Sequence, residues 1–203
     1  ELIRQQKNRP SVCFWGIQNE VGVGKNTEWS DATDDFMNSL VALAKSEDPT
    51  RLTVQASCNW DICGKEWLTD LIAINTYPLW YSNGNLGDIV DSYIKNNLNN
   101  PSYPYWNGKP VGISEYGAGS SIFHHSDFPT APVPSGKFHP EEWASVAHES
   151  AIHEINKRDN LWMTAIWCMF DFASNGRNEG DSAGINDKGL VTRDRKTKKD
   201  AFY

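Results

Sequence analysis

The sequence lacks several features that would place it in common classes of protein. None of its four cysteines forms a Cys-x-x-Cys pair, so we predict free, buried thiols, with no disulfide and no zinc site. No apolar stretch is long enough to span a membrane. The 19 basic residues are outnumbered by 26 acidic ones, and the net charge of -7 argues against a nucleic-acid partner. There is no short repeat and no low-complexity segment.

What is present is the composition of one globular domain. The 203 residues are 39% hydrophobic and 22% charged, which is enough to build a sizeable core. Aromatic residues make up 12%, including nine Trp, and they favour either a large core or a site that stacks on sugar rings. A basic run near the end is expected to be a solvated terminal segment; it comprises Arg193, Arg195, Lys196, Lys198 and Lys199.

Apolar runs alternate with amphipathic segments along the chain. The runs predict five strands, at Val12–Ile17, Leu52–Ala56, Leu71–Asn75, Pro110–Ser114 and Leu161–Met169. The amphipathic segments predict helices from Ser30 or Thr33 to about Lys45, over Gly87–Leu98, and from about His139 to Lys157. This alternation indicates a parallel sheet covered by helices. The long proline-rich loop Phe128–Pro134 suggests a function, with an ordinary surface loop as the alternative.

Two glutamates lie at the carboxyl ends of predicted strands. Glu20 follows the first strand after Asn19, and Glu115 follows the fourth. In parallel α/β folds, functional side chains gather at the carboxyl ends of the strands. Two facing carboxylates are what glycoside cleavage needs, and a separation of about 5 Å gives retention whereas a wider gap gives inversion. Taken singly, either glutamate could instead cap a loop or pair with a lysine.

Four segments resemble the catalytic TIM barrel of glycoside hydrolase family 2. WGIQNE resembles the strand that carries the acid/base, and GKPVGISEYGA resembles the nucleophile strand. INTYPLWY is similar to the sixth strand, and the closing segment from Trp167 to Tyr203 is similar to the eighth strand and its tail. The resemblance covers nearly the whole chain and is closest in style to bacterial β-galactosidases. It implies an α/β fold, a (β/α)8 barrel of which residues 1–203 form the C-terminal portion, about strands 4 to 8.

The resemblance also implies roles for single residues. Glu20 would be the general acid/base and Glu115 the nucleophile. Asn19 would hydrogen-bond the sugar 2-hydroxyl, and Tyr77 would donate its phenol proton to Glu115 and so keep that carboxylate ionised. Trp167 would form the floor of the sugar subsite. From the residues alone, core or loop positions remain the alternatives for Tyr77 and Trp167.

The identity of the sugar rests on the tail. Asn186 and Lys188 belong to an Asn-x-Lys-Gly that resembles the segment with which β-glucuronidases hold a sugar carboxylate, whereas the surrounding residues resemble β-galactosidases. A solvated loop lysine is the alternative for Lys188. The implied activity is that of a retaining exo-β-glycosidase, first a β-galactosidase and second a β-glucuronidase or another β-glycosidase of the family. A non-catalytic carbohydrate-binding fragment is the alternative from another class.

These predictions define the expected partners. The substrate is a β-linked oligosaccharide or glycoside, with no nucleic acid and no membrane. No cofactor is required by this segment, and no metal ligands are predicted; a divalent cation and a homo-oligomer remain open for the full protein. The opening residues resemble the end of a helix, so we expect a piece of a longer protein whose signal region lies elsewhere. A bacterial periplasm or cytoplasm is the expected location.

Overall fold

A computed structural model describes residues 1–21, 31–57, 69–101 and 107–203. The predicted loop glycines Gly22 and Gly24, the predicted helix cap Ser30, and the cysteines Cys58 and Cys63 lie outside these ranges. The chain forms two compact units. The first consists of Glu1–Asn75, Asp91–Ser114 and Asn160–Met163, and the second of Thr76–Val90, Glu115–Asp159 and Thr164–Tyr203.

Five strands form one sheet in the order in which they occur along the chain. They are β1 (Phe14–Asn19), β2 (Leu52–Ser57), β3 (Leu71–Asn75), β4 (Val111–Glu115) and β5 (Leu161–Thr164). The pairs β1–β2 and β2–β3 are parallel, as predicted from the alternation of strands and helices. All five residues of β3 are buried, which explains why its sequence is a continuous apolar run.

The first strand begins two residues later than predicted. The residues before it are held by other hydrogen bonds, because the Val12 amide donates to the Arg9 carbonyl and the Val12 carbonyl accepts from Arg51 Nε. The strand extends from Phe14 to Asn19, so Glu20 follows it directly.

The helices lie close to their predicted positions. They are α1 (Leu2–Gln6), α2 (Asp31–Glu47), α3 (Leu86–Tyr93) and α4 (Glu141–Asn156), and a π-helical turn (Ile94–Leu98) continues α3. Extended Pro140 precedes α4, and two glutamates occupy its first turn, where the helix dipole favours negative charge. In the described part of the chain, no helix is long and apolar enough to cross a membrane.

The last predicted strand is too long. β5 ends at Thr164, and the prediction for residues 165–169 is wrong because the backbone there pairs with the closing tail. The Cys168 amide donates to the Lys188 carbonyl, and the Val191 amide donates to the Met169 carbonyl. Two short strands, β6 (Phe172–Ala173) and β7 (Ile185–Asn186), then form an antiparallel hairpin.

Each unit has its own apolar cluster. In the first unit, Val54, Leu71 and Ala73 are buried together, and partly buried Phe14 and Trp162 pack against them. In the second unit, the buried indole of Trp80 packs with small residues, which are Ala118, Ala144 and Ala147. Alanines on α4 leave room for a large aromatic side chain, so the tryptophan-rich composition serves the core here.

The burial of two residue types differs from the sequence-based expectation. Cys13 is exposed and Cys168 is half-buried, and both are free, so the prediction of a buried thiol is wrong for Cys13. Lys199 is 1% exposed, so it does not belong to a solvated segment. Its ammonium donates to the carbonyls of Ser120 and Asp187 and to Asp171 Oδ1, which compensates its burial.

Candidate active site

Glu20 is held in an unusual backbone conformation in the first unit. The register between β1 and β2 shifts between Gly16 and Gln18, which marks a β-bulge just before the strand ends. Glu20 then adopts φ +53°, a left-handed conformation that costs a residue other than glycine about 1 kcal/mol. Its amide donates to the Ala56 carbonyl over 3.0 Å. Bulges and strained residues of this kind concentrate at functional sites, where they redirect a side chain.

Asn75 connects the two side chains at the end of β1. Its Nδ2 donates to Asn19 Oδ1 over 2.9 Å and to Glu20 Oε1 over 2.8 Å. The Ser114 hydroxyl donates to Asn75 Oδ1 over 2.5 Å, so the amide is oriented with both N–H groups toward these acceptors. Asn75 is 3% exposed, while Asn19 is exposed and Glu20 half-buried. Neither Asn75 nor Ser114 is predicted as functional from sequence; their only signal is their place at the ends of strands.

Glu115 is the last residue of β4 and is 9% exposed. Its Oε2 accepts a hydrogen bond from the Tyr77 hydroxyl over 2.5 Å, so the contact predicted between these residues is observed. Its carbonyl also accepts from the Thr76 amide over 2.9 Å. A donor to a carboxylate stabilises the ionised form, which is the form that a nucleophile needs.

A tight turn after Tyr77 brings a second tyrosine beside it. The Tyr81 amide donates to the Tyr77 carbonyl over 2.9 Å, and the two rings meet edge to face at 5.3 Å. Leu79 adopts φ +59° within the turn, and Trp143 Nε1 fastens it by donating to the Leu79 carbonyl. The sequence predicts no role for Tyr81. The signal that the sequence does contain is its position four residues after Tyr77.

Lys188 lies in the second unit and is 1% exposed, so its interpretation as a solvated loop lysine is wrong. Its Nζ donates to the Tyr81 hydroxyl over 2.9 Å and lies 4.9, 5.3 and 5.8 Å from the ring centres of Tyr81, Trp80 and Tyr77. Within the described ranges, no carboxylate forms an ion pair with Lys188. Burial of an ammonium costs several kcal/mol, and aromatic faces offset only part of that.

The segment that carries Lys188 is anchored on its middle residue. Asp187 Oδ2 lies 2.5 Å from Nδ1 of fully buried His139, and the Asp187 carbonyl accepts from Lys199 Nζ over 2.8 Å. Burial by itself raises the pKa of Asp187, but the His139 hydrogen bond and the nearby positive charges outweigh it and lower the pKa. Asn186 Oδ1 accepts from the Lys188 amide over 3.1 Å. The predicted pair Asn186 and Lys188 is thus brought together on a fixed backbone.

Trp167 is half-buried and lies outside the regular strand. Its amide donates to the carbonyl of Tyr116, the residue after Glu115, over 2.9 Å. A Cβ atom at Gly117 would lie 2.4 Å from the Trp167 carbonyl oxygen, so only glycine allows this approach. The indole meets Phe172 edge to face at 5.7 Å. These contacts fix the indole next to the segment that carries the predicted nucleophile.

One buried histidine of α4 is not predicted from sequence. His148 is 6% exposed and packs against the Tyr116 ring, with 5.9 Å between ring centres. Burial lowers its pKa to about 4. Its Nδ1 has no hydrogen-bond partner among the residues that the structure describes. His148 is therefore a neutral packing residue at ordinary pH.

A second cluster offers potential metal ligands. Atoms of His125, Glu142 and Asp200 lie within 4.8 Å of one another. His125 and Asp200 are exposed, and His125 Nδ1 lies 2.9 Å from Glu142 Oε1. The Glu142 hydrogen bond raises the pKa of His125, as expected for a surface ion pair. We assign no metal to it.

Comparison with known proteins identifies a family for the whole chain. The model of the family "Glycosyl hydrolases family 2, TIM barrel domain" matches residues 1–203. A β-glucuronidase of Bacteroides fragilis is 44% identical over 203 residues, which are 100% of this chain and 27% of that protein.

Two solved structures share the fold. A putative β-galactosidase from Bacteroides fragilis is 33% identical with a TM-score of 0.82, over 99% of this chain and 28% of the other. A β-galacturonidase from Eisenbergiella tayi, bound to galacturonate, is 25% identical with a TM-score of 0.78, over 98% of this chain and 33% of the other. The chain therefore spans about a third or less of the length of each relative.

Proposed function

Because the chain belongs to glycosyl hydrolases family 2, within its TIM barrel domain, we propose that it contributes catalytic residues to a retaining exo-β-glycosidase that releases uronic acid sugars. The family membership supports the broad part of the proposal, that the protein is a β-glycosidase. The residue roles and the acidic sugar are the proposal, and both concern the full-length protein. We also propose that this chain forms about strands 4 to 8 of the barrel.

In the first proposed step, the Glu115 carboxylate attacks the anomeric carbon. The bond to the glycosidic oxygen breaks, and that oxygen takes the proton of the Glu20 carboxylic acid, so the aglycone leaves as a neutral alcohol. The product is a glycosyl ester of Glu115. Tyr77 would support this step by donating to Glu115, and Asn19 would hydrogen-bond the sugar 2-hydroxyl.

In the second proposed step, water hydrolyses the ester. Glu20, now ionised, takes a proton from the water as its oxygen attacks the anomeric carbon, and the bond to Glu115 breaks. The sugar is released with its original configuration, and both glutamates return to their starting protonation. Carboxylates carry out all of this chemistry, so the proposal needs no cofactor.

The acidic sugar is supported above all by Lys188. This ammonium is buried without a carboxylate partner among the described residues, and three aromatic rings line it. A sugar carboxylate would supply the missing counter-charge. The names of two relatives, a β-glucuronidase and a β-galacturonidase, point to the same class of substrate.

A panel of chromogenic glycosides tests the proposal on the full-length protein. We expect kcat/KM for 4-nitrophenyl β-glucuronide to exceed that for the neutral β-glucoside and β-galactoside. Lys188→Met should lower kcat/KM for the glucuronide by at least about a hundred-fold, the scale of a lost buried ion pair, with little change for neutral glycosides. The control Lys198→Met removes one positive charge at an exposed position and should change kcat/KM for neither the glucuronide nor the neutral glycosides. A wild type that prefers neutral glycosides would contradict the acidic sugar.

A β-galactosidase is the second candidate. It is supported by the resemblance of the closing tail and by the putative β-galactosidase among the solved structures. In the same panel it predicts the highest kcat/KM for the β-galactoside and no effect of Lys188→Met on discrimination between charged and neutral sugars.

A further inference from the structure

Two cationic side chains converge on the phenol oxygen of Tyr81. Lys188 Nζ lies 2.9 Å from this oxygen, and Arg177 Nη1 lies 3.3 Å from it. A phenol oxygen has two acceptor positions and one proton. With both acceptor positions taken, the Tyr81 proton is left to donate to another group. Tyr81 is 54% exposed, so that group can come from solution.

The charges around this oxygen do not cancel. Arg177 forms an ion pair with Glu179, and Glu179 Oε2 also accepts from the Asn178 amide over 3.1 Å. Among the residues that the structure describes, Glu179 is the only carboxylate paired with either cation. Two positive charges thus lie at the phenol oxygen against one paired carboxylate, while the Asp187 carboxylate, which contacts His139, acts on Lys188 without forming an ion pair with it, so the local charge favours an anion beside Tyr81.

The loop that carries Arg177 is closed by its own backbone. It connects β6 to β7. The Ser174 amide donates to the Gly184 carbonyl over 2.8 Å, the Gly184 amide donates to the Arg177 carbonyl over 2.8 Å, and the Arg177 amide donates to the Ser174 carbonyl over 3.0 Å. The backbone at Arg177 is therefore fixed by hydrogen bonds within its own loop.

A second loop supports the first from outside. Lys137 Nζ donates to the Asn178 carbonyl over 2.5 Å and to Asn178 Oδ1 over 2.9 Å. The Gly180 amide donates to the Gly136 carbonyl over 2.8 Å. Gly136 and Lys137 follow the proline-rich loop Phe128–Pro134 after a single residue, and the sequence suggests a function for that loop. A loop held in this way loses little conformational entropy when a ligand binds.

We propose that Arg177 is a specificity-determining residue that favours acidic sugars by acting through Tyr81. The inference rests on the proposed function, in which Lys188 binds the sugar carboxylate. The carboxylate accepts the Tyr81 proton and a proton of the Lys188 ammonium. Arg177 orients the phenol for this donation by occupying its second acceptor position, and it adds positive potential. A neutral hydroxymethyl group in the same place gains far less from either effect.

The acidity of the phenol is consistent with this role. Burial by itself raises the pKa of Tyr81, but the positive charges and hydrogen bonds of Lys188 and Arg177 outweigh it, and the pKa is lowered. A more acidic phenol is a stronger hydrogen-bond donor to a carboxylate. Among the residues that the structure describes, the charged groups that hydrogen-bond to the phenol are Lys188 and Arg177, and Glu179 pairs with Arg177.

Arg177→Gln in the full-length protein tests the proposal. We expect KM for 4-nitrophenyl β-glucuronide to rise about tenfold, the effect of one charge-assisted contact in a partly exposed site, with kcat and neutral glycosides changed by less than about two-fold. Arg177→Lys should lose less, because it keeps the charge. The control Arg193→Gln removes one exposed positive charge elsewhere in the same unit and should leave every constant unchanged.

A second measurement does not depend on turnover. In protein labelled with 13Cζ-tyrosine, Tyr81 is identified by the NMR signal that Tyr81→Phe removes. Its titration should move to higher pH in Arg177→Gln and stay in place in Arg193→Gln. If the wild type prefers glucuronides but Arg177→Gln keeps the wild-type KM, or if the Tyr81 titration does not move, this inference is overturned while the proposed function stands. A wild type that prefers neutral glycosides overturns both.

Discussion

The Tyr77 hydroxyl lies 2.5 Å from Oε2 of Glu115, and the carboxylate that it contacts is 9% exposed. Because this carboxylate is buried, a single hydrogen-bond donor has a large influence on whether it is ionised. In the proposed reaction, one glutamate must be ionised while the other is protonated. We expect the hydrogen bond from Tyr77 to favour Glu115 as the ionised member.

Tyr77→Phe removes this donor with little change in packing. Loss of a donor to the ionised form favours protonation, so the acidic limb of kcat/KM should move to higher pH. The rate should fall by about ten- to a thousand-fold, the scale of one charge-assisted donor. Tyr203→Phe, at a 92% exposed position, is the control. An unchanged acidic limb with normal activity would mean that Tyr77 only fills space.

Replacement of each glutamate by glutamine should have a different effect. Glu115→Gln is expected to be nearly inactive on every substrate, because no glycosyl ester can form. Glu20→Gln should retain glycosylation with good aryl leaving groups, and azide should restore its second step and give a β-glycosyl azide. The anomer of the azide product is read by NMR; an α-glycosyl azide from Glu20→Gln would reverse the assignment.

Asn75→Ala should affect poor leaving groups most. Asn75 orients Glu20, which donates a proton to the leaving group in the proposed reaction. Only poor leaving groups depend fully on that proton. Alkyl glycosides should therefore lose about ten- to a hundred-fold in kcat/KM, and activated aryl glycosides much less. Ser114→Ala leaves the amide in place but removes the group that orients it, so its loss should be smaller. Asn96→Ala, at an exposed position, is the control. Equal losses on both classes of substrate would contradict a role through Glu20.

His148 should make stability depend on pH in the acidic range. Its pKa is lowered from 6.5 to about 4 in the folded protein, so the unfolded chain binds more protons between these values. Stability should therefore fall as the pH drops from 6.5 toward 4 and level off below, by at most about 3 kcal/mol. Urea midpoints at several pH values measure this. His148→Phe should flatten the dependence, and exposed His153→Gln should not; identical curves for all three proteins would contradict the assignment.

The regular elements were largely predictable, because local periodicity reports burial. The bounds of β3 agree with its apolar run, and the acidic first turn of α4 marks the start of that helix. The end of β5 was not predictable in this way. Apolar residues continue to Met169, but nothing in that run shows that its amide groups pair with residues about twenty positions further along the chain.

The site was predictable only where the resemblance to a family supplied it. The hydrogen bond between Tyr77 and Glu115 follows from that resemblance, whereas the burial of Lys188 and Lys199 does not. A lysine is buried only when distant acceptors surround it, and the partner of Lys188 is 107 positions away. Asn75 shows the same limit, since two other strands also end in asparagine, at Asn19 and Asn186, and local sequence does not show which one holds Glu20.

The contact between Lys137 and Asn178 joins positions that are 41 residues apart. It ties the segment that carries Arg177 to a loop that touches neither Tyr81 nor Lys188 in any described contact. Moving residues 174–188 alone into another family member would therefore transplant the arginine without its support. Gly136 and Lys137 would have to be transferred together with residues 174–188. In natural variation, we expect sequences that lose the lysine at position 137 to vary at position 177 as well, as would two segments that are exchanged together.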